Sequence, residues 1–433
     1  MTANYNEYTY ALGYKDVYLV PNYSELESRS QADTSVKIKD FKFTLPIMPS
    51  NMKSVVDLKT YHLYDSLGLA PIMHRFDMDN VDVMRRFSTN WKAISVGVKE
   101  KDKKDLDACT YLATPPSCVC IDIAHGHSKA MKDMISYVRG HFPDTIIIAG
   151  NVTTGQACKD LAEWGADLVK VGIGPGQVCS TKNKTGFHMP MFTAVKNCAA
   201  ASPVPIIADG GFRENGDIAK ALVAGATFCM IGGMFAACSD SPATMVNGKK
   251  EYYGSASERN KGSVRNIEGF TTHLTPTNTI TSKVREIQED LQSAISYAGG
   301  KDLSALDLSK VDEAKQAEEA DVADGADDEG SDEPKIKKQY GILVCDKDGE
   351  IKRDLVGWVF QMPENEDTRD VIESVKKAAY NYNASKKGRK YPVNTIGQAI
   401  EGVGNKFLKP YNVSIKTKEP VLVVTTNNIL PRT

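Results

Sequence analysis

Eight short apolar runs, spaced by segments long enough for a helix, constrain the fold of this chain more than any other feature. They occupy residues 46–48, 69–73, 94–98, 118–121, 145–149, 168–172, 205–208 and 229–231. Each gives way at its C-terminal end to small or polar residues. Strands buried on both faces read as continuous apolar runs, and parallel neighbours need a crossover between them, usually a helix. Segments 55–67, 101–112, 128–140, 154–165 and 216–225 fit such helices, several ending at glycine as helices commonly do. Eight strand–helix units predict an α/β protein of the (β/α)8 TIM-barrel class in preference to a doubly wound open sheet. In a barrel, chemistry sits on the loops that follow the strands. Here those loops are residues 50–52, 74–75, 122–128, 150–151, 172–181, 209–211 and 232–233, and they hold most of the unusual residues of the chain.

The composition changes sharply beyond the barrel. Residues 281–297 read as one more helix, closing a barrel domain of residues 1–310. Residues 311–334 then carry eleven acids against one lysine. Like charges repel and there is little to bury, so this stretch reads as a disordered linker. Residues 335–433 form a second unit, a small basic α+β domain of unknown function. It reads as strands at 340–345 and 354–360 around a turn at Asp348-Gly349, helices at 368–382 and 393–407, and strands at 413–416 and 421–425. The basic run Lys386-Lys387-Gly388-Arg389-Lys390 between its helices fits a solvated loop better than a nucleic-acid patch. Its partner is not readable.

The formal net charge of −2 gives no basic excess of the kind nucleic-acid binding brings. No apolar stretch is long enough to span a membrane, and the N-terminus has no secretory pattern. Nine scattered cysteines form no small-domain framework, and Cys118 and Cys120 alternate within an apolar run. Free thiols in a reducing, cytoplasmic compartment are expected.

The segment with most chemistry is Val171-Gly172-Ile173-Gly174-Pro175-Gly176-Gln177-Val178-Cys179-Ser180-Thr181. A buried strand runs into a glycine-rich loop that presents a thiol and two hydroxyls. Glycines let the backbone approach a ligand or ion, and a cysteine held there attacks an electrophilic carbon once it becomes a thiolate. The plainer alternative is a buried cysteine beside a phosphate loop. Asp209-Gly210-Gly211 and Gly232-Gly233 end the last two strands, where barrels commonly hold phosphate on backbone N–H groups. An aspartate there suits a ribose diol. The bland reading is a pair of tight turns.

These segments resemble the GMP reductase and IMP dehydrogenase family in order and spacing. The likeness rests on Gly174-Pro175-Gly176-x-x-Cys179-x-Thr181, Lys184-Thr185-Gly186, Ala208-Asp209-Gly210-Gly211 and Ile231-Gly232-Gly233-Met234. Gly13-Tyr14-Lys15-Asp16-Val17, Ser50-Asn51-Met52, the segment from Cys120 to Gly126, Ala149-Gly150-Asn151-Val152, Tyr253-Gly254 and Glu268-Gly269 extend it over residues 8–298.

The resemblance implies a covalent thioimidate between the cysteine and C2 of a purine nucleotide. Three features point to reduction rather than dehydrogenation. The segment between Tyr253 and Glu268 is short and lacks an Arg-Tyr pair, Arg265 stands three residues before Glu268, and no insert interrupts residues 74–91. The implied reaction is GMP with NADPH giving IMP, ammonia and NADP. Cys179, Thr181 and Glu268 would be catalytic. Asn51, Met52, Asp209, Gly211, Gly232, Gly233, Tyr253, Gly254, Ser255 and Arg265 would bind the nucleotide, and Asp122, His125 and Gly126 the cofactor. A monovalent cation, K+, would sit on carbonyls of Gly174, Gly176 and Cys179, and a homotetramer is implied.

The chain departs from the family pattern at Gln177, where a phosphate-touching Ser is usual, at Ser255-Ala256 in place of Met-Ser, and at His188-Met189 in place of Gly-Tyr. These departures leave the exact purine open. His125 and His127 suggest no complete metal set, and His74-Arg75 read equally as a cofactor-phosphate contact or a surface pair. Two other functional classes remain: an IMP-dehydrogenase-like or altered purine nucleotide oxidoreductase, and a non-catalytic nucleotide sensor.

Overall fold

A computed structural model describes residues 11–77, 79–261, 267–315, 336–342 and 358–363. The chain divides into two compact units, Met1–Ala317 and Glu318–Thr433.

The first unit is built on a parallel sheet of seven strands. They are Ile47–Pro49, Ala93–Val96, Cys118–Asp122, Ile146–Val152, Leu168–Val171, Ile206–Asp209 and Phe228–Ile231. From Ala93–Val96 to Phe228–Ile231 each pairs with its successor, and the last then pairs with Ile47–Pro49, the first. A sheet whose first and last strands are neighbours must curl. The remaining apolar run, 69–73, makes no regular strand. It is nonetheless stitched into the gap: Ala70 N donates to Ile47 O at 3.1 Å and Met73 N to Ala93 O at 2.9 Å. The architecture is of the TIM-barrel type that the spacing of the apolar runs predicts.

The continuous apolar runs follow from burial on both faces. Every residue of Ala93–Val96, Leu168–Val171 and Phe228–Ile231 is buried. One of them, Lys170, is charged. The crossover helices start where a side chain satisfies a free backbone N–H. Asp57 accepts from Thr60 N at 2.7 Å, Ser128 from Met131 N at 3.4 Å and Thr154 from Ala157 N at 3.3 Å. The helices Leu58–Ser66, Glu100–Cys109, Lys129–His141, Gly155–Glu163, Gly216–Val223 and Ile280–Tyr297 all coincide with expected segments. Asn80–Arg86 and Met191–Ala201 are additional.

A three-stranded antiparallel sheet, Met245–Val246, Lys249–Tyr253 and Thr271–Leu274, stands beyond the last barrel strand. Charge alone puts residues 311–315 in the linker, and the structure corrects this. Glu313–Lys315 pair antiparallel with Val17–Leu19, and Val311 is buried. In the second unit Ile336–Ile342 and Trp358–Pro363 form an antiparallel pair. They lie near the first two expected strands but are displaced from them by a few residues. The other elements expected there, and most of the linker, fall outside the described residues. No helix among the described residues is long and apolar enough to cross a membrane.

Candidate active site

Three backbone segments cross at the glycine-rich loop and fix its shape. Gly176 O accepts from Cys179 N at 3.0 Å, which turns the loop sharply. Ser180 N donates to Glu268 O at 2.9 Å, Phe270 N to Val178 O at 3.0 Å, and Glu268 N to Ala256 O at 3.1 Å. The loop is thus zipped to residues 268–270, which are zipped in turn to residues 254–257. Residues 90 apart in sequence are brought together in this way.

The zipper sets three side chains in line. Cys179 Sγ donates to Thr181 Oγ1 at 3.2 Å, and Thr181 Oγ1 donates to Glu268 Oε2 at 2.7 Å. Eight free cysteines lie among the described residues, and Cys179 is the one that is not buried. A thiol that faces the loop and is linked through a hydroxyl to a carboxylate has an acceptor for its proton. Burial pushes up the thiols of Cys118, Cys120 and Cys229, and those of Cys238, to about 11, and Cys109, to about 12. Those are packing groups.

A second cluster occupies the strand ends beside the loop. Lys170, only 2% exposed, places Nζ 2.5 Å from Asp209 Oδ2 and 3.0 Å from Asp122 Oδ1. Asn151 Nδ2 donates to Asp209 Oδ2 at 2.8 Å, and Asn51 Nδ2 to Asp122 Oδ2 at 3.1 Å. Burial alone would push the Asp122 carboxyl up. The Lys170 ammonium, with Arg75 and the Asn51 amide, overrides it and holds Asp122 below the ordinary carboxylate range. Burial likewise works against the Lys170 charge, and the two carboxylates outweigh it and keep the lysine protonated. The motifs do not single out Lys170. Its only signal is a lone cation inside an apolar run.

The glycines cluster where the phosphate is expected. Gly210 and Gly211 both have φ near +90°, at +88° and +89°, a backbone region that side chains disfavour. A Cβ on Gly232 would lie 2.5 Å from Tyr252 Oη, and one on Gly233 2.8 Å from Gln177 Oε1. No residue larger than glycine fits at either place without displacement. The tyrosine at this cradle is Tyr252, whose buried hydroxyl also donates to Met52 Sδ at 3.6 Å. Tyr253, named from the motif, is the next residue on the strand and so faces the other way. It lies under the Arg259 guanidinium, 5.4 Å from its ring centre. Gln177, on the cysteine loop, brings its side-chain oxygen against the Gly233 turn.

The remaining expected residues divide. Gly254 and Ser255 belong to the zipper, next to Val178 and Asn260. Gly126 is buried, and its N–H donates to Asn151 O at 2.7 Å. His125 is exposed beyond the end of its strand. His127 turns outward to Asp160 at 2.7 Å and stacks on Trp164. His74 is buried, while Arg75 keeps a buried Nε with no hydrogen-bond partner among the described residues. Arg265 lies outside the described residues. No group of His, Cys, Asp and Glu able to hold a metal occurs among the described residues. The Gly176 carbonyl already accepts the Cys179 N–H and has a second lone pair to spare.

Comparison with known proteins shows the family. The family described as IMP dehydrogenase / GMP reductase domain matches residues 11–322. GMP reductase of Chromobacterium violaceum is 46% identical over 301 residues, covering 68% of this chain and 95% of the relative. GMP reductase of Mesoplasma florum is 46% identical over 312 residues, covering 70% and 97%. GMP reductase of Lactococcus lactis subsp. cremoris is 44% identical over 308 residues, covering 69% and 93%. With the cysteine loop, the carboxylate relay and the glycine cradle all inside the matched region, the chain belongs to the IMP dehydrogenase / GMP reductase family.

Proposed function

We propose that the chain is a GMP reductase, an oxidoreductase that converts GMP, NADPH and protons to IMP, ammonium and NADP. The observation that carries this is the directed line from Cys179 through Thr181 to Glu268, at 3.2 and 2.7 Å. A thiol needs to lose its proton to attack C2 of the purine, and an amino group needs to gain one to leave. One relay meets both demands. The Cys179 proton passes to Thr181 as the Thr181 proton passes to Glu268, leaving a thiolate and a glutamic acid. The thiolate adds to C2. Glu268 then returns its proton through Thr181 to the departing nitrogen, and ammonia leaves behind a thioimidate on Cys179.

A nicotinamide cofactor suits the residues beside this relay. Asp122 is ionised and half-buried, and the unpartnered Nε of Arg75 is a donor available for a polar ligand group. With His125 and Gly126 they would hold the cofactor over the loop, where it supplies the hydride that reduces C2 and frees the cysteine. Asn51, Met52 and Asp209 would orient the nucleoside, Asp209 taking the ribose diol. The amides of Gly211, Gly232 and Gly233, with Tyr252 and Gln177, would take the phosphate. Gly254, Ser255 and Arg265 would flank the base. NADPH rather than NADH, K+ on the loop carbonyls, and a homotetramer are carried over from the family resemblance.

The test is the loss of NADPH absorbance on adding GMP to purified protein, repeated with IMP and NAD. GMP-dependent oxidation that disappears in Cys179→Ala while GMP still binds supports the reading. Robust NADH production from IMP and NAD would replace it with the dehydrogenase, and nucleotide binding without any turnover would replace it with a sensor.

A further inference from the structure

Lys170 is the one charged residue on a wholly buried strand. Removing a lysine from water is costly, by several kcal/mol even after the surroundings relax. A lysine retained there needs strong compensation, and the structure supplies two carboxylates. They come from different strands, Cys118–Asp122 and Ile206–Asp209, on opposite sides of the lysine's own strand. Strand Ile146–Val152 stands between Lys170 and Asp122, and room is made there by Gly150, whose Cβ would fall 2.6 Å from Lys170 Cβ. Each carboxylate has a further partner of its own, Asn151 for Asp209 and Asn51 for Asp122. The Asn151 amide shares Asp209 Oδ2 with the lysine, the Asn51 amide takes the Asp122 oxygen that the lysine leaves free, and the lysine fixes the two carboxylates to each other.

We infer that Lys170 is a positioning residue that ties the nucleotide half of the site to the cofactor half, by holding Asp209 and Asp122 on one buried ammonium. This rests on the assignment of Asp209 to the ribose and Asp122 to the nicotinamide cofactor made above. The lysine reaches neither ligand itself, because its ammonium is enclosed by the carboxylates. Its effect passes through them. Without it, the two carboxylates face each other with no ammonium between them and only the Arg75 charge beside Asp122, and each swings away or takes up a proton. Either response spoils both binding sites at once. Gly172 strengthens the link: its carbonyl accepts from the same Asn151 amide that holds Asp209, at 2.6 Å, so the orientation of Asp209 is also tied to the start of the cysteine loop.

The experiment compares Lys170→Met and Lys170→Arg with the wild type. The dissociation constant for GMP is measured by titration without cofactor, and the KM for NADPH with saturating GMP. Lys170→Met is expected to weaken both by about tenfold or more, the scale on which losing one partner of a buried charge pair acts. Lys170→Arg, which keeps the charge, is expected to recover most of both. Weakening on one side alone, or neither, overturns the link and leaves Lys170 a packing residue. If Lys170→Met does not fold, Asp122→Asn decides. With the Asp122 charge gone, the ammonium is balanced by Asp209 alone and draws that carboxylate out of position for the diol, so GMP binding without cofactor is expected to weaken by roughly threefold or more. An unchanged GMP constant in that variant overturns the inference. A wild type that neither binds nor turns over GMP would count against the proposed function instead.

Discussion

A nucleophilic cysteine differs from a packing cysteine in what its proton can reach. Cys179 reaches Glu268 through one hydroxyl, and that hydroxyl is the most economical place to test the relay. Thr181→Val keeps the shape and removes the bridge. We expect kcat to fall roughly 100- to 10,000-fold, the usual worth of positioned proton transfer, with GMP affinity little changed. A valine variant with full kcat would eliminate the relay. His74 gives a prediction about stability. Burial, and then the Lys53 charge, depress its pKa from 6.5 to about 4, while its Nδ1 accepts from Phe76 N at 3.2 Å. The folded protein therefore keeps His74 neutral, and the unfolded chain takes up a proton below about pH 6.5. Stability contributed by the neutral ring is full above that pH and is lost as pH falls towards 4. The loss is on the order of 2 kcal/mol by pH 5. His74→Asn keeps an acceptor for Phe76 and does not titrate. Its Tm should fall less between pH 7 and pH 5 than that of the wild type, and parallel slopes would refute the assignment.

At the scale of elements, the active site is a crossing of three chain segments rather than the end of one strand. Gly269 sits at the crossing. A Cβ there would lie 3.1 Å from Ser257 N and 3.2 Å from both Gly254 Cα and Val178 O. All three are backbone atoms, which do not rotate away. Gly269→Ala should push residue 268 off the cysteine loop and lower kcat by at least about tenfold, since small misplacements of catalytic groups are costly. Normal kcat in this variant would mean that the zipper is not what positions Glu268. The barrel strands were legible in the sequence because burial on both faces leaves an uninterrupted apolar signature. The run 69–73 shows the limit of that signal: it is apolar because it is buried, yet its pairing is too irregular to make a strand. Helix Asn80–Arg86 has seven residues, four of them charged or amide, and so carries little apolar periodicity. Cys179, Thr181 and Glu268 were legible by motif, and the structure brings them together. Tyr252 was not, because two adjacent tyrosines look alike until a strand sends them to opposite faces. Lys170 was hidden because nothing in a linear run says that two aspartates, 48 residues before it and 39 after it, will close on one lysine.

For the whole molecule, the question is where the catalytic unit ends. Charge places the boundary at residue 310, and the structure extends the first unit to Ala317. The extension is tied to the N-terminal segment. Val311 is 2% exposed, Val20 N donates to Asp312 O at 2.9 Å, Glu313–Lys315 pair with Val17–Leu19, and Lys196 meets Glu313 at 3.0 Å. Burying one valine contributes about 1.5–3 kcal/mol. The strand pairing adds to this, and the half-exposed ion pair adds little. A chain ending at residue 317 keeps all of these contacts, whereas one ending at 310 loses them and leaves Val17–Leu19 an unpaired edge. The first should match the full-length protein in Tm and in GMP-dependent NADPH oxidation. The second should melt several degrees lower, since each kcal/mol shifts Tm by roughly 2–4 °C in a domain of this order of size. It should retain kcat at low temperature, because none of the relay residues touches the lost segment. Loss of activity in the chain ending at 317 would mean that residues beyond it take part in catalysis, and the second unit would then have to be counted as part of the enzyme rather than as an appendage to it.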